Sequence, residues 1–435
     1  MRLSLGRVMS KLTWLKLSIF VFVFSFIIFR AANISCSQVT LRSSGEGDGP
    51  TEIAVVSAVK YFTDFGFWAS KLRPIHGYAV NRETKDVHAY THYPAGPDLT
   101  TALWVKLSGV KTEFGYRILP ILLSVFLFFF IYWSLEKYLK NKQSAFLSAS
   151  LIVLSNYFLA WADNIHKFLY EEVFKWVGVY LIFLYFDKTR IKTKTLRIFY
   201  LISLFFISFW LMNLSFETPV YFGILVLTLA LFYEKKFYKS PICWVVFLGS
   251  LLGFFTHFGL NVLYYESFDL AYNDLLTAFH RRTGNCAAGA ECFVSSLDFL
   301  KIPLIFLNRF EHYFLVPGGA VLYFAYLSLL RFKNENIFIF KFSLATILAT
   351  LSWYFVMPQH AQVHSFVGRQ AAIAFGLFVG PGIMEYRNIF LNHMRKGMSL
   401  RLATFHLILF SYVFGMAITQ QIWHTYYLKT FTSLR

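Results

Sequence analysis

Residues 118–138 read ILPILLSVFLFFFIYWSLEKY, a nearly unbroken apolar run closed by Glu136 and Lys137. At a rise of about 1.5 Å per residue, a helix of this length spans about 30 Å, the thickness of a bilayer's hydrocarbon core. Similar runs occur at 13–33, 144–162, 168–186, 198–215, 217–233, 241–265, 313–330, 337–357, 368–384 and 402–422. The expected fold is therefore an all-α polytopic membrane protein with about eleven transmembrane helices, forming one transmembrane domain over 1–435. The opening run, 13–33, follows a basic segment as a signal peptide does. It is long, lacks a small-residue cleavage pattern, and reads as a retained first helix.

Composition agrees. Of 435 residues, 57% are hydrophobic and only 15% charged, with 52 phenylalanines. A soluble domain carries about 25% charged residues. The mean hydropathy is +0.52. A net charge of +18 could point to nucleic acid. Its distribution excludes that reading. The segments assigned to one side (the N-terminus and those near 136–142, 187–197, 234–239, 331–335 and 385–401) hold 21 Lys and Arg against five carboxylates. Basic loops mark the cytoplasmic side. The N-terminus is then cytoplasmic, and Phe-, Ile- and Lys-rich usage suggests the inner membrane of a bacterium with an AT-rich genome.

The other side differs in kind. The first extracytoplasmic loop, 34–117, is long and polar, and its runs at 53–61 and 99–107 suit helices lying at the interface. The second long loop, 266–312, holds Cys286 and Cys292, close enough to close a small disulfide loop on an oxidising side. Polar, acidic, His and Arg residues gather on this face, which suggests a site there.

Five segments could carry chemistry. Glu46, Asp48 and Glu52 place three carboxylates just after the first span, among glycines that permit close approach of a ligand. A carboxylate there can take a proton from a hydroxyl. Asp48 and Glu52 are the candidates for catalysis, and Glu46 with Asp48 could hold a divalent metal ion, which is not favoured. The turn containing His92, Tyr93, Pro94, Ala95, Gly96, Pro97 and Asp98 leads into an interfacial helix. His166, Lys167, Glu171 and Glu172 open the fourth span. Adjacent carboxylates entering lipid are costly unless they face a cavity. His280 and Arg281 offer donors for a phosphate. His360, His364 and Arg369 open a late span; the histidines share a helical face, but no third ligand makes them a metal site. No cofactor is called for.

The order of these pieces resembles the GT-C superfamily, polytopic glycosyltransferases that use polyprenyl-phosphate sugars and include protein O-mannosyltransferases and the aminoarabinose transferases of lipid A. The matching residues are Asp48, Ala58, Gly66, the turn from His92 to Pro97, and Arg117, within residues 13–190. The family often has adjacent acidic residues where this chain has Asp48 followed by Gly49-Pro50-Thr51-Glu52. The resemblance implies inverting transfer of a sugar from a polyprenyl-phosphate donor to a glycan, lipid or protein acceptor at the extracytoplasmic face. Asp48 or Glu52 would be the base. His92, Tyr93, Lys167, Glu172, His280, Arg281, His364 and Arg369 would bind substrate. Two rivals stay open. A transporter or flippase of lipid-linked sugars would show repeats and broken midplane helices, and no repeat is visible. An O-antigen ligase or polymerase type of enzyme would place Arg and His late, as His364 and Arg369 are.

Overall fold

The computed structural model describes Lys16, Phe20 and residues 49–78, 87–153, 155–159, 161–187, 193–234, 236–283, 302–314, 318–363, 365–397, 399, 401–402, 404–409 and 411–412. The chain is an all-α membrane protein. Two helices precede the bundle, α1 (Gly49–Phe65) and α2 (Gly96–Ser108), separated by a two-residue hairpin pairing β1 (Ile75–His76) with β2 (His88–Ala89). The bundle follows as α3 (Glu113–Leu139), α4 (Lys142–Val153), α6 (Lys167–Phe186) after a single turn of helix α5 (Asn156–Leu159), α7 (Lys194–Leu214), α8 (Glu217–Tyr233) and α9 (Pro241–Tyr265). Next come α10 (Phe268–Thr283), α11 (Ile302–Tyr313), α12 (Gly318–Glu335), α13 (Ile337–Val356) and α14 (Pro358–Val363). A 3₁₀ segment (Ser365–Ala371) then leads into α15 (Ala372–Arg395).

Local chemistry sets the ends. The Thr112 side chain accepts from Gly115 N at the start of α3, Thr193 does the same for Leu196 N in α7, and Asn336 for Ile339 N in α13. Each satisfies a backbone donor that has no partner within its helix. Pro241 opens α9, where its missing N–H costs nothing.

Among the described residues, α3, α7, α9, α13 and the stretch Val367–Arg395 containing α15 are long and apolar enough to cross a membrane, while α8 is apolar but shorter. The runs at 53–61 and 99–107 fall within helices α1 and α2. The expected span at 144–162 is interrupted instead. Helix α4 stops at Val153, where the Ser155 hydroxyl and amide both turn back to the Ile152 carbonyl. That local bond competes with the helix ladder. Helix α3 begins at Glu113, a turn before the expected 118, and α12 starts at Gly318, later than 313. Of the expected first span, 13–33, only Lys16 and Phe20 are described. Lys16 Nζ meets Tyr132 Oη at 3.4 Å, and the Phe20 ring lies against Phe128 and Phe129. The last span, 402–422, is described in part, and Cys286 and Cys292 lie outside the described residues.

Helix α6 is central. Every residue from Lys167 to Val173 is buried, as are Lys175, Trp176, Val179 and Ile182. Around it the helices approach closely wherever a small residue allows. A Cβ on Gly249 would sit 2.5 Å from the Phe205 carbonyl oxygen, and one on Gly253 2.7 Å from that of Phe209. Gly380 and Gly382 of α15 meet the carbonyls of Ser144 and Phe324 in the same way. Lipid gives helices no hydrophobic reason to associate, so such backbone approach carries the packing.

These glycines make a paired expectation. Gly253→Ala should lower the melting temperature in detergent, although Ala gains about 1 kcal/mol of helix propensity over Gly. Gly259→Ala, on the same helix with no atom within 4 Å of the new Cβ, should raise or preserve it. Equal shifts for the two would contradict the packing account.

Candidate active site

The first two turns of α6 bring Lys167, Glu171, Glu172 and Lys175 into the protein interior. Unpaired charges there would cost several kcal/mol each, and each finds a partner from elsewhere in the chain. Lys167 Nζ lies 3.3 Å from Glu217 Oε1 at the start of α8. Lys175 Nζ donates to Glu172 Oε1 at 2.6 Å. Arg369, from the 3₁₀ segment, sits 3.4 Å from Glu171 and 3.6 Å from Glu172. Thr218 Oγ1 donates to Glu171, Gln370 Nε2 donates to the same oxygen at 3.3 Å, and Tyr157 Oη donates to Glu172. Three cations thus meet three carboxylates. Aromatic faces add to the cation sites: the Arg369 guanidinium lies 3.9 Å from the Phe168 ring centroid, and Lys167 Nζ 4.3 Å from that of Tyr93.

Tyr93 arrives on the predicted turn. Its hydroxyl contacts His360 Nε2 at 3.1 Å, while Trp353 Nε1 donates to His360 Nδ1 at 3.0 Å. Nδ1 is therefore the acceptor, and a neutral His360 donates from Nε2 to Tyr93. His92 Nε2 pairs with Asp274 Oδ1 of α10 at 2.8 Å.

The turn is clamped to the helix ends. Asn261 Nδ2 donates to the Thr91 carbonyl at 3.1 Å. Arg73, fully buried, donates to the His257 carbonyl at 2.6 Å. Gly96 lies so close to α7 that a Cβ there would be 2.2 Å from the Asn213 carbonyl oxygen. On the other side, Arg117 forks onto Glu52, with Nη1 to Oε1 at 3.0 Å and Nη2 to Oε2 at 3.2 Å, and both side chains are wholly buried. Glu52 also accepts from Ile165 N at 3.2 Å, and Arg117 donates to the Asp163 carbonyl at 3.1 Å. This fork ties α1 and α3 to the segment entering α6.

Of the residues singled out from sequence, His92, Tyr93, Lys167, Glu172 and Arg369 are brought into one region. Glu52 borders it through Ile165. His280 lies on α10, beyond Asp274, and Arg281 follows it in the same helix, its side chain outside the described residues. Asp48, Glu46 and His364 also lie outside them. No group of three or more His, Cys, Asp or Glu side chains is placed to hold a metal among the described residues. Sequence reasoning passed over Lys175, Glu217, Gln370 and Asp274. The signal for Lys175 and Glu217 was available, since a charge inside an apolar span marks a functional interior.

Asp98, in the first turn of α2, is buried with no partner for Oδ1. Burial pushes its carboxyl up to about 7.

The fold is shared with the oligosaccharyltransferase AglB of Archaeoglobus fulgidus. Its structure in complex with an inhibitory peptide and a dolichol-phosphate matches with a TM-score of 0.50 and 14% identity, covering 94% of this chain and 55% of that one. The apo form matches with a TM-score of 0.50 and 13% identity, covering 93% and 56%. This chain therefore spans little more than half the length of the proteins it matches. No family model matches the sequence, and no curated protein does. At such identity the likeness concerns the fold, and that fold agrees with the resemblance to the GT-C superfamily.

Two outcomes follow from the geometry. Arg117→Met strands the Glu52 carboxylate in the interior and should cost about 3–5 kcal/mol, read as a lowered melting temperature. Adding Glu52→Leu should recover part of it; a double variant no more stable than the single would contradict the pairing. For Asp98, the folded protein retains a proton that the unfolded chain releases above about pH 4. Stability should fall as pH rises from about 4 to 7 and level off beyond. Asp98→Asn should remove that slope, so its melting temperature gains on the wild type between pH 4.5 and pH 8.

Proposed function

We propose that this protein is a membrane glycosyltransferase that moves a sugar, with inversion, from a polyprenyl-phosphate donor to an acceptor hydroxyl at the extracytoplasmic face. The observation that carries this reading is an apolar cavity whose wall residues adjoin residues of the ionic cluster. It has a volume of about 430 Å³ and is lined by His92, Phe216, Leu275, Phe279, Trp353 and Met357 among others. Its walls continue into the ionic cluster. Phe216 precedes Glu217, the partner of Lys167, and Trp353 holds His360, the partner of Tyr93. Hydrocarbon space near cations that can exchange a carboxylate partner for a phosphate suits an amphiphile with an apolar chain and an anionic head. The archaeal protein of the same fold has been seen with a dolichol-phosphate, which supports a lipid-linked donor here.

The chemistry then divides among groups. An acceptor oxygen attacks the anomeric carbon as the bond to the lipid phosphate breaks. A carboxylate takes the acceptor's proton, and Asp48, after the first span, is the candidate. Glu52 has both oxygens engaged by Arg117, so we read it as the group that holds the entry to α6 in place. The leaving phosphate gains negative charge and needs preorganised cations. Charge-assisted pairs are typically about 2.7–2.9 Å long. The Lys175–Glu172 contact, at 2.6 Å, is tight, whereas those of Lys167 and Arg369, at 3.3–3.6 Å, are longer. Lys167 and Arg369 can turn toward a phosphate at less cost. His92 and Tyr93 border the chain's entry, with His280, Arg281 and His364 as further candidates for donor contact. The acceptor is a glycan, lipid or protein hydroxyl. The location is the bacterial inner membrane, with the basic loops in the cytoplasm and no step routed through a metal ion.

Transfer of labelled sugar from a panel of polyprenyl-phosphate donors by the purified protein tests this. Lys167→Gln should reduce kcat by about a hundredfold, and Asp48→Asn should abolish transfer. Full activity in Asp48→Asn would remove the base assignment. Transport of lipid-linked sugar in liposomes, with no transfer from any donor, would replace the enzyme with a flippase.

A further inference from the structure

A second groove lies away from the ionic cluster. Its volume is about 700 Å³, and its walls include Trp68, Lys71, Leu263, Glu266, Ser267 and Phe268. Three observations fix its surroundings. First, Phe247, Leu248, Leu252, Phe255 and Leu263 of α9 are exposed, roughly half their surface uncovered. They form a stripe at helical spacing along an apolar helix, the surface a membrane helix turns to lipid. The stripe ends at Leu263, inside the groove, so the groove begins where the hydrocarbon ends. Second, Trp68 is 67% exposed and Phe268 61%. Such aromatic side chains collect at the headgroup level. Third, Lys71 and Glu266 face this groove with opposite charges, yet neither makes an ion pair with a described residue.

Both charges are held in unusual backbone. Lys71 and Leu72 have φ of 53° and 62°, and Glu266 has φ of 51°. Glu266 caps α9 in the left-handed region. Consecutive left-handed residues other than glycine are strained. Here the turn is held by Leu72 N donating to the Phe67 carbonyl at 3.0 Å, Lys71 N to that of Trp68 at 3.0 Å, and Ser70 Oγ to that of Arg73 at 2.6 Å. These bonds fix the backbone that carries Lys71 in the groove wall it shares with Glu266.

We propose that this groove binds a phospholipid with a phosphoethanolamine head. Lys71 meets the phosphate, while Glu266 and the Ser267 hydroxyl accept from the lipid ammonium. The acyl chains run down the α9 stripe, and Trp68 lies against the glycerol region. The two unpaired charges favour a zwitterion over an anionic head, which would face Glu266. A primary ammonium donates three hydrogen bonds and a trimethylammonium none, so ethanolamine is favoured over choline. The site is independent of the proposed transfer reaction, requiring only that α9 face lipid.

The test is lipid retention. The full-length protein, extracted from nanodiscs containing equal parts phosphatidylethanolamine, phosphatidylcholine and phosphatidylglycerol, is analysed by native mass spectrometry. Retained phosphatidylethanolamine should exceed each of the others by about fivefold, as one or two net hydrogen bonds would give. Glu266→Gln should erase the preference over phosphatidylcholine. Lys71→Gln should lower phosphatidylethanolamine retention, and Lys71→Arg should restore it. Unchanged helical circular dichroism in each variant separates loss of the site from loss of the fold. Equal retention of the three lipids by the wild type, a preference for phosphatidylglycerol, or a preference that survives both Gln substitutions would overturn the proposal.

Discussion

The rest of the structure depends on keeping four charges in the first two turns of α6 neutral in the protein interior. Lys167, Glu171, Glu172 and Lys175 are all buried. In a low-dielectric interior an unmatched charge costs more than any single packing contact returns. This sets where other elements must sit. The start of α8 lies beside α6 so that Glu217 meets Lys167. The 3₁₀ segment brings Arg369 between Glu171 and Glu172. Gln370 and Thr218 fill hydrogen-bonding capacity that remains. Two stretches far apart in the chain are thereby fixed on one helix end.

The same region shows how polar loops become rigid at a membrane surface. The segment between α1 and α3 has a small apolar core of its own, built on Val55, Val59, Phe62, Ala102 and Tyr116. Its position comes from polar contacts. Arg73 grips the His257 carbonyl, Asn261 holds the Thr91 carbonyl, and Arg117 forks onto Glu52. The first two bonds fasten the segment to α9 and the third ties α1 to α3, so together they leave it little freedom to tilt. His92, which lines the cavity, pairs with Asp274 at 2.8 Å, and Lys167 pairs with Glu217 at a longer 3.3 Å.

Much of the architecture was legible from residues alone, for a physical reason. Lipid tolerates only backbones that satisfy their own hydrogen bonds, so apolar runs the length of a bilayer can be little other than helices. The helices at 49–65 and 96–108 were likewise visible, in part, as the short amphipathic runs at 53–61 and 99–107. The break after Val153 was not, because Ser155 acts through a bond to a backbone carbonyl that hydropathy does not register. The hairpin joining β1 and β2 is two residues to a strand, too short for any periodicity to appear.

Composition by itself determined that this chain is a helical membrane protein. Among the residues singled out from the sequence, His92, Tyr93, Lys167, Glu172 and Arg369 come together in the fold, since polar groups at span ends need partners. What only the tertiary structure decided is who partners whom. Glu52 proved to be held by Arg117, and Lys167 was given to Glu217, some fifty residues on. Tyr93 was given to His360 across most of the chain. Hydropathy is a property of each segment alone, whereas ion pairing in a low dielectric depends on distances of a few ångströms between segments, and only the folded chain sets those.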